Sequence, residues 1–262
     1  TIVRVGKDNG FVTNGLPSST RLTLASGGLL DINTIEGDTQ QLDGLAGDGT
    51  VELGGNTLQI GDELAPGLSV GKLTIAEAGQ VNLGSLTVST FELKSATRFD
   101  QLVLEEATME LGGALTVNLI DGYDPEVGTM FHLIQGDANG VFDTLTTDSS
   151  LAMLPFYDPE NMDPGVYARA TYVGDANLDN KVSLADLSAL AGNWNSTDAT
   201  WEEGDFNGDG KVSLADLSAL AGNWNIGVSN AGSMPLTNVP EPATLSLLAM
   251  GGLATLIRRK RK

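Results

Sequence analysis

The chain of 262 residues carries 34 acidic and 14 basic residues, for a formal net charge of −20, and it contains no cysteine. This acidic excess repels phosphate backbones and favours cations or basic surfaces, so nucleic acid is excluded as an expected partner. The missing cysteine excludes disulfides, thiolate metal sites and cysteine nucleophiles. The chain begins at Thr1 without a secretory leader, so we expect a fragment or a mature protein of one or two domains.

Residues 1–172 alternate short apolar and polar runs with glycine-containing turns, which predicts a mainly β structure. Four units align on Leu24, Leu53, Leu83 and Leu111, which follow one another at a nearly constant spacing. Such a period predicts a parallel β-solenoid, whose stacked coils bury the alternating aliphatic residues. A β-sandwich with regularly spaced hairpins is the alternative.

Residues 60–172 resemble the final coils of autotransporter-passenger-like β-solenoids from bacterial surfaces. The resemblance lies in the style and order of five segments: Gly61–Ile75, Phe99–Leu102, Leu115–Gly122, Gly128–Ile134 and Gly140–Leu145. It implies a stalk or an adhesive surface and no reaction.

No catalytic constellation is visible in this region. His132, the single histidine, lies in a predicted strand, where we expect an outward-pointing polar residue rather than a base. Glu105 and Glu106 are adjacent and would point to opposite strand faces, which does not suit a glycosidase pair. We therefore expect no enzyme activity.

Two acidic loops follow, and each has the ligand spacing of a calcium site. Calcium takes about six to eight oxygen ligands, which a 12-residue loop supplies from positions 1, 3, 5, 7, 9 and 12. The sequence predicts one ion in each loop, two in total, with lysine contributing only its carbonyl. The predicted ligands are Asp175, Asn177, Asp179, Lys181, Ser183 and Asp186 in the first loop, and Asp205, Asn207, Asp209, Lys211, Ser213 and Asp216 in the second.

An amphipathic helix is predicted after each loop. The apolar residues of one helical face are Leu187, Leu190, Ala191 and Trp194 in the first copy, and Leu217, Leu220, Ala221 and Trp224 in the second. Ser183 and Asp186 have the spacing of a capping box, and Gly192 and Gly222 mark the helix ends. No helical segment precedes either loop, so both are half EF-hands.

The two loops differ at position 6, where the backbone must turn. Asn180 occupies this position in the first loop and Gly210 occupies it in the second. Asparagine tolerates the left-handed conformation better than most residues, but glycine adopts it without steric cost. We therefore predict tighter calcium binding by the second loop.

Two half EF-hands that close with aspartate at position 12 resemble the type I dockerin module. The resemblance implies two antiparallel helices related by a pseudo-twofold axis, bound calcium and a cohesin domain as partner. The family contacts its partner through loop positions 10 and 11, which are Leu184, Ala185, Leu214 and Ala215 here. The usual hydroxyl pair is missing, so we expect a more apolar partner surface, with either copy able to dock. A helix pair that instead caps its own solenoid is the alternative.

The C-terminal tail combines Pro240, Glu241 and Pro242 with an apolar stretch at 244–257 and a basic end at 258–262. The apolar stretch would span about 21 Å as a helix, against about 30 Å of hydrocarbon, so it predicts a marginal transmembrane helix with its basic end in the cytoplasm. The arrangement resembles the PEP-CTERM sorting signal, which implies recognition of the tripeptide by an exosortase. An ordinary tail anchor is the alternative.

The predicted organisation is a solenoid over residues 1–172, a dockerin over 173–226, a linker over 227–239 and a sorting signal over 240–262. We place the protein in the cell envelope or outside the cell, anchored transiently or permanently. The favoured function is that of a structural or adhesive surface protein with a calcium-dependent interaction module. The alternative is a dockerin-tethered component of polysaccharide catabolism, either a glycoside hydrolase or a carbohydrate-binding subunit, with extracellular polysaccharide as its partner.

Overall fold

The computed structural model describes residues 2–6, 15–34 and 39–228 of the chain. The strands are β1 Ile2–Gly6, β2 Arg21–Leu24, β3 Leu29–Thr34, β4 Thr39–Gly47, β5 Thr50–Glu52, β6 Thr57–Pro66, β7 Lys72–Ala76, β8 Gly79–Leu83, β9 Val88–Ser95, β10 Arg98–Phe99, β11 Gln101–Glu110, β12 Ala114–Leu119, β13 Met130–Asn139, β14 Thr144–Thr147, β15 Ala152–Tyr157 and β16 Gly165–Thr171. The helices are α1 Leu184–Gly192 and α2 Leu214–Gly222, with a 3₁₀ turn at Trp201–Glu203.

The strands stack in parallel along three faces. One face runs through β1, β3, β5, β7, β11 and β13. A second runs through β4, β6, β8, β11 and β13, and a third through β2, β4, β6, β9, β12 and β14. The predicted parallel β-solenoid is therefore confirmed. The β-sandwich alternative is wrong, because its hairpins would pair in antiparallel fashion.

The length of a coil varies along the solenoid, and the predicted constant period is wrong. Leu24 lies beside Gly47 rather than Leu53, so the first coil is shorter than predicted. Leu45 lies beside Leu64, and the coil between them is shorter still. The later pairing of β8 with β11 does match the predicted alignment of the third and fourth units. The strands range from 2 residues in β10 to 10 in β6. Apolar alternation marks a strand but does not show where the chain turns a corner and closes a coil.

Alternate residues of the strands fill the solenoid interior. Leu30, Val51 and Ile75 occupy successive coils of the first face, and each is fully buried. Each such side chain contributes about 1.5–3 kcal/mol relative to full exposure. Buried polar side chains satisfy backbone carbonyls, as where Asn56 Nδ2 donates to the Ile32 carbonyl at 2.8 Å.

An antiparallel hairpin ends the solenoid. Strand β16 pairs with β13 on one side and with β15 on the other, both in antiparallel fashion, which covers the edge of the last coil. The His132 ring of β13 stacks on Tyr167 of β16 at a centroid distance of 3.9 Å and an interplanar angle of 11°. Burial lowers the pKa of His132, against the opposing effect of its contact with the Pro164 carbonyl. The ring is therefore half-buried under a tyrosine rather than free on the strand surface.

Asp100 is a buried carboxyl at a corner of the solenoid, where it accepts hydrogen bonds from the backbone N–H groups of Gly71 and Glu92 at 2.9 and 2.8 Å. Burial raises its pKa from 3.8 to about 7, and the two hydrogen bonds oppose this rise. The folded chain thus holds a proton that the unfolded chain releases near its ordinary pKa. The resulting stabilisation is complete below about pH 4 and is lost as the pH rises through about 7.

The free energy of unfolding of the solenoid should therefore fall by about 2–3 kcal/mol from Asp100 alone between about pH 5 and pH 8. Urea unfolding of the full chain in excess calcium measures this fall. The variant Asp100→Asn should show a pH dependence that is shallower by this amount, since its amide does not titrate. An identical pH dependence in both proteins would show that Asp100 titrates near its ordinary pKa.

Candidate metal centre

The segment 172–226 contains a second hydrophobic core, separate from that of the solenoid. Its buried apolar residues occupy equivalent positions of the two sequence copies, in the pairs Ala176 and Phe206, Val182 and Val212, and Leu190 and Leu220. The duplicated sequence thus places equivalent residues of both copies at one centre. Tyr172 and Val173, directly after β16, pack against the same core.

The two copies interlock by reciprocal contacts. Gly174, which precedes the first loop, lies against Leu220 of α2, and Gly204, which precedes the second loop, lies against Leu190 of α1. The backbone N–H groups of Asn195 and Asn225 donate to the carbonyls of Val212 and Val182. Each loop is therefore held by the other copy, as expected for two related halves.

Both helices begin where the sequence predicts. The Ser183 hydroxyl accepts from the Ala185 N–H while the Asp186 carboxylate accepts from the Ser183 N–H, which completes a capping box that the second copy repeats. The two helices end at Gly192 and Gly222, as predicted. The 3₁₀ turn Trp201–Glu203 before the second loop was not predicted.

The buried face of each helix matches the predicted one only in part, with Leu187 and Leu217 packing against the core as predicted. Leu190 is buried, but Ala191 and Trp194 are exposed. Trp194 lies beyond the helix end, where helical periodicity no longer applies. Asp186 is fully buried instead, because its carboxylate turns inward to the amides of its own loop.

The first loop wraps its backbone amides around two buried carboxylates. Asp175 Oδ1 accepts from the Asp179 N–H at 3.1 Å, and Asp175 Oδ2 accepts from the Asn180 N–H at 2.8 Å. Asp186 Oδ1 accepts from the N–H groups of Ala176 and Asn177 at 2.9 and 3.3 Å. The closing carboxylate is thereby brought back to the start of the loop.

The second loop repeats this arrangement. Asp205 accepts from the N–H groups of Gly208, Asp209 and Gly210 at 2.9, 3.2 and 2.8 Å. Asp216 Oδ1 accepts from the Phe206 and Asn207 N–H groups at 2.9 and 3.2 Å. At position 6, Asn180 and Gly210 both adopt left-handed backbone conformations, with φ of 65° and 78°.

The donor set of the two loops suits a hard cation. Asp175, Asp186 and Asp216 are fully buried and Asp205 is 5% exposed, yet none of them pairs with a lysine or arginine among the described residues. Burial raises the pKa of Asp175, against the hydrogen bonds that it accepts. A buried, unpaired carboxylate is costly, and a bound cation would supply the missing charge.

Oxygen atoms alone make up the predicted ligand set, which matches the preference of calcium. Lys181 and Lys211 are exposed, which leaves their carbonyls for the predicted ligand role. Within the described ranges, no three acidic or histidine side chains cluster closely enough to hold an ion by themselves. The predicted site accordingly depends on asparagine, serine and carbonyl oxygens as well, and its ligand set stays a prediction.

The predicted partner-binding positions are exposed in both copies. Leu184 is 69% exposed and Leu214 is 68% exposed, and the alanine that follows each of them is also exposed. Trp194 and Trp224 are likewise exposed to nearly equal extents. The duplicated module thus presents the same apolar surface twice.

The module meets the solenoid through its loops and not through these leucines. Arg169 of β16 reaches the first loop, and a cleft of about 510 Å³ lies between Ser150 and Leu151 of the hairpin region and Trp201 and Phe206 of the module. The alternative in which the helices cap the solenoid is therefore wrong for the surface around Leu184.

Three contacts of the module were missed by sequence reasoning. The Trp201 indole N–H donates to the Asp175 carbonyl at 2.7 Å, and Arg169 and Thr171 bond to the first loop. Gly174 and Gly204 were visible as a repeated glycine before each loop, so the duplication itself could have identified them. Nothing in the repeat pattern points to Arg169 or Thr171, because they belong to the solenoid.

The predicted sorting residues Pro240, Glu241 and Pro242 and the predicted transmembrane helix at 244–257 lie outside the described residues. Across the described ranges, no helix has the length and apolar character that a membrane crossing requires.

Comparison with known proteins identifies two segments. The family model of the dockerin type I domain matches residues 173–225, and that of the PEP-CTERM protein-sorting motif matches residues 238–262. Neither the curated proteins nor the solved structures give a match. The chain therefore joins a β-solenoid to a type I dockerin module and a PEP-CTERM sorting motif, which indicates an exported protein of the cell envelope that carries a protein-interaction module.

Proposed function

We propose that this protein is a structural or adhesive component of the cell surface that recruits a partner protein through its calcium-bound dockerin module. The observation that carries the proposal is the pair of equally exposed leucines, Leu184 and Leu214, at the same position of two identical helices. Large apolar side chains that stay uncovered in a folded module favour a protein interface.

The calcium role is proposed for both loops, with one ion in each. Asp175, Asp186, Asp205 and Asp216 supply the buried charge, and the remaining predicted oxygens complete the two ligand sets. The bound ions would neutralise the buried carboxylates and so hold the two helices in place.

The proposed partners follow from the two matched segments. A cohesin-like domain would dock on the module, and an exosortase-type enzyme would act at Pro240, Glu241 and Pro242. The solenoid would serve as the stalk, and the proposal assigns it no reaction. The ring of His132 stacks on Tyr167 and contacts the Pro164 carbonyl, which favours a structural role for this histidine.

Paired substitutions test the partner surface. We expect Leu184→Glu or Leu214→Glu alone to weaken binding to a cohesin domain by about twofold, because each leaves one equivalent surface intact. The double variant should lose about 30-fold or more, as expected when a central apolar contact is replaced by a charge. Surface plasmon resonance in calcium, against a panel of immobilised type I cohesin domains, measures both effects.

Leu68→Glu is the matched control, because Leu68 is also highly exposed but lies on the solenoid. It should bind like the wild type. If the double variant binds as the control does, the leucine surface is not the docking site. If no cohesin binds even the wild type in calcium, the partner belongs to another class of protein.

A further inference from the structure

Strand β16, the last strand of the solenoid, leads directly into the first calcium loop. It ends at Thr171, and the loop begins at Asp175. Side chains near the end of β16 form hydrogen bonds to the loop. Residues of the solenoid and of the module therefore meet at one site. The second loop follows the 3₁₀ turn of the module itself, and among the described residues its hydrogen bonds stay within the module.

Arg169 holds the outer turn of the first loop. One guanidinium nitrogen of Arg169 donates to the Leu178 carbonyl at 2.8 Å and to Asn180 Oδ1 at 3.2 Å. Both acceptors are neutral oxygens, and neither belongs to the predicted ligands. Arg169 therefore fixes the shape of the loop without occupying a position that an ion would need.

Asn180 is suited to this contact in a way that glycine is not. Its left-handed backbone resembles that of Gly210, but its amide oxygen serves as the acceptor for Arg169. The same amide lies close to Gly128 of the solenoid, where an added Cβ would come within 3.1 Å of it. The departure from glycine at position 6 thus has a structural reason, which is contact with the solenoid.

Thr171 bonds to the first predicted ligand itself. Its hydroxyl donates to Asp175 Oδ2 at 3.2 Å, and Thr171 is fully buried. The equivalent position before the second loop is Trp201, which has no hydroxyl, and Asp205 accepts only backbone N–H groups in the hydrogen bonds of the described residues. The two loops are therefore unequal in their outer contacts, although their helices are identical.

We propose that the first calcium site is a composite site, in which the solenoid residues Arg169 and Thr171 act as positioning residues for the loop. The inference rests on the calcium binding proposed above. Hydrogen-bonded partners of metal ligands orient them, and their loss typically costs about 10- to 100-fold in metal affinity. By the same linkage, calcium in the first loop stabilises the end of the solenoid.

Site-resolved hydrogen exchange tests this inference in the full chain. The midpoint of protection against free calcium is measured separately for amides of loop 175–186 and loop 205–216. Thr171→Val keeps the shape of the residue and removes only the hydroxyl, so we expect the midpoint of the first loop to rise by about tenfold. Thr171→Ser should restore it, and the second loop should shift less than the first, through the contacts that join the two copies.

Arg169→Lys is the second variant. It keeps the positive charge, so any change reflects the lost geometry of the guanidinium and not its repulsion of the cation. A midpoint that rises more in the first loop than in the second would support the composite site. Unchanged midpoints in both variants, or equal shifts in both loops, would overturn it. If the wild type shows no calcium-dependent protection in either loop, the proposed calcium function itself fails.

Discussion

Removal of calcium from the full chain should unfold helices α1 and α2 while the solenoid strands stay folded. Four buried carboxylates, on Asp175, Asp186, Asp205 and Asp216, would then lack a counter-charge. The apolar core of the module is too small to offset this, because it contains only six buried apolar side chains among the described residues. Each proposed calcium site would stabilise the fold by about 4 kcal/mol when free calcium is about 1,000 times the dissociation constant.

Far-ultraviolet circular dichroism, recorded with excess calcium and then with excess chelator, measures the loss of helix. The solenoid has its own core and its own antiparallel end, so the β contribution should persist. Restored calcium should restore the helices. A module that keeps its full helical signal in chelator would show that the loops fold without a metal.

Variants at the closing position separate metal loss from other effects of chelation. Asp186→Ala and Asp216→Ala together should give the chelated spectrum even in calcium, because each removes the residue that joins the loop start to its helix. Asp137→Ala, which removes an exposed carboxyl of the solenoid, is the matched control and should leave the spectrum unchanged.

The sequence predicted where the helices of the module begin and end. For the solenoid it predicted the class of fold but not which residues lie side by side in successive coils. Capping boxes and helix ends depend on residues within about four positions of one another, and each loop closes over ten residues, so the duplicated motif specifies them locally. The length of each coil depends on which strands meet after each corner. Leu24 and Leu53 have the same local pattern, and only long-range pairing decides that Leu24 lies beside Gly47.

The contacts between the solenoid and the module could not be predicted for the same reason. Arg169 lies nine residues before Leu178 and eleven before Asn180, in a strand whose polar residues have no repeat partner. Helix faces were predicted less well than helix ends. The apolar period identified Leu190, but it could not show that the buried Asp186 would share its face.

The second large effect is expected for Gly204→Ala, which should destabilise the module by about 3–5 kcal/mol. Gly204 has a φ of 106°, which alanine rarely adopts, and an added Cβ would lie 2.7 Å from Leu190 Cα. The close atom belongs to the backbone of α1, so the strain cannot be relieved by turning a side chain. Helix α1 would have to move away from the second loop. Urea unfolding in saturating calcium, followed by the helical signal, measures the loss.

Gly208→Ala separates the two causes of this effect. Gly208 also has a positive φ, of 72°, but an added Cβ would meet no atom within 4 Å. This control should therefore cost only the backbone strain, about 1–2 kcal/mol. Gly174→Ala should behave like Gly204→Ala, because its Cβ would lie 2.8 Å from Leu220 Cα in the reciprocal contact. If Gly204→Ala costs no more than Gly208→Ala, the helices can separate cheaply, and the close glycine contacts do not determine how the two halves of the module pack.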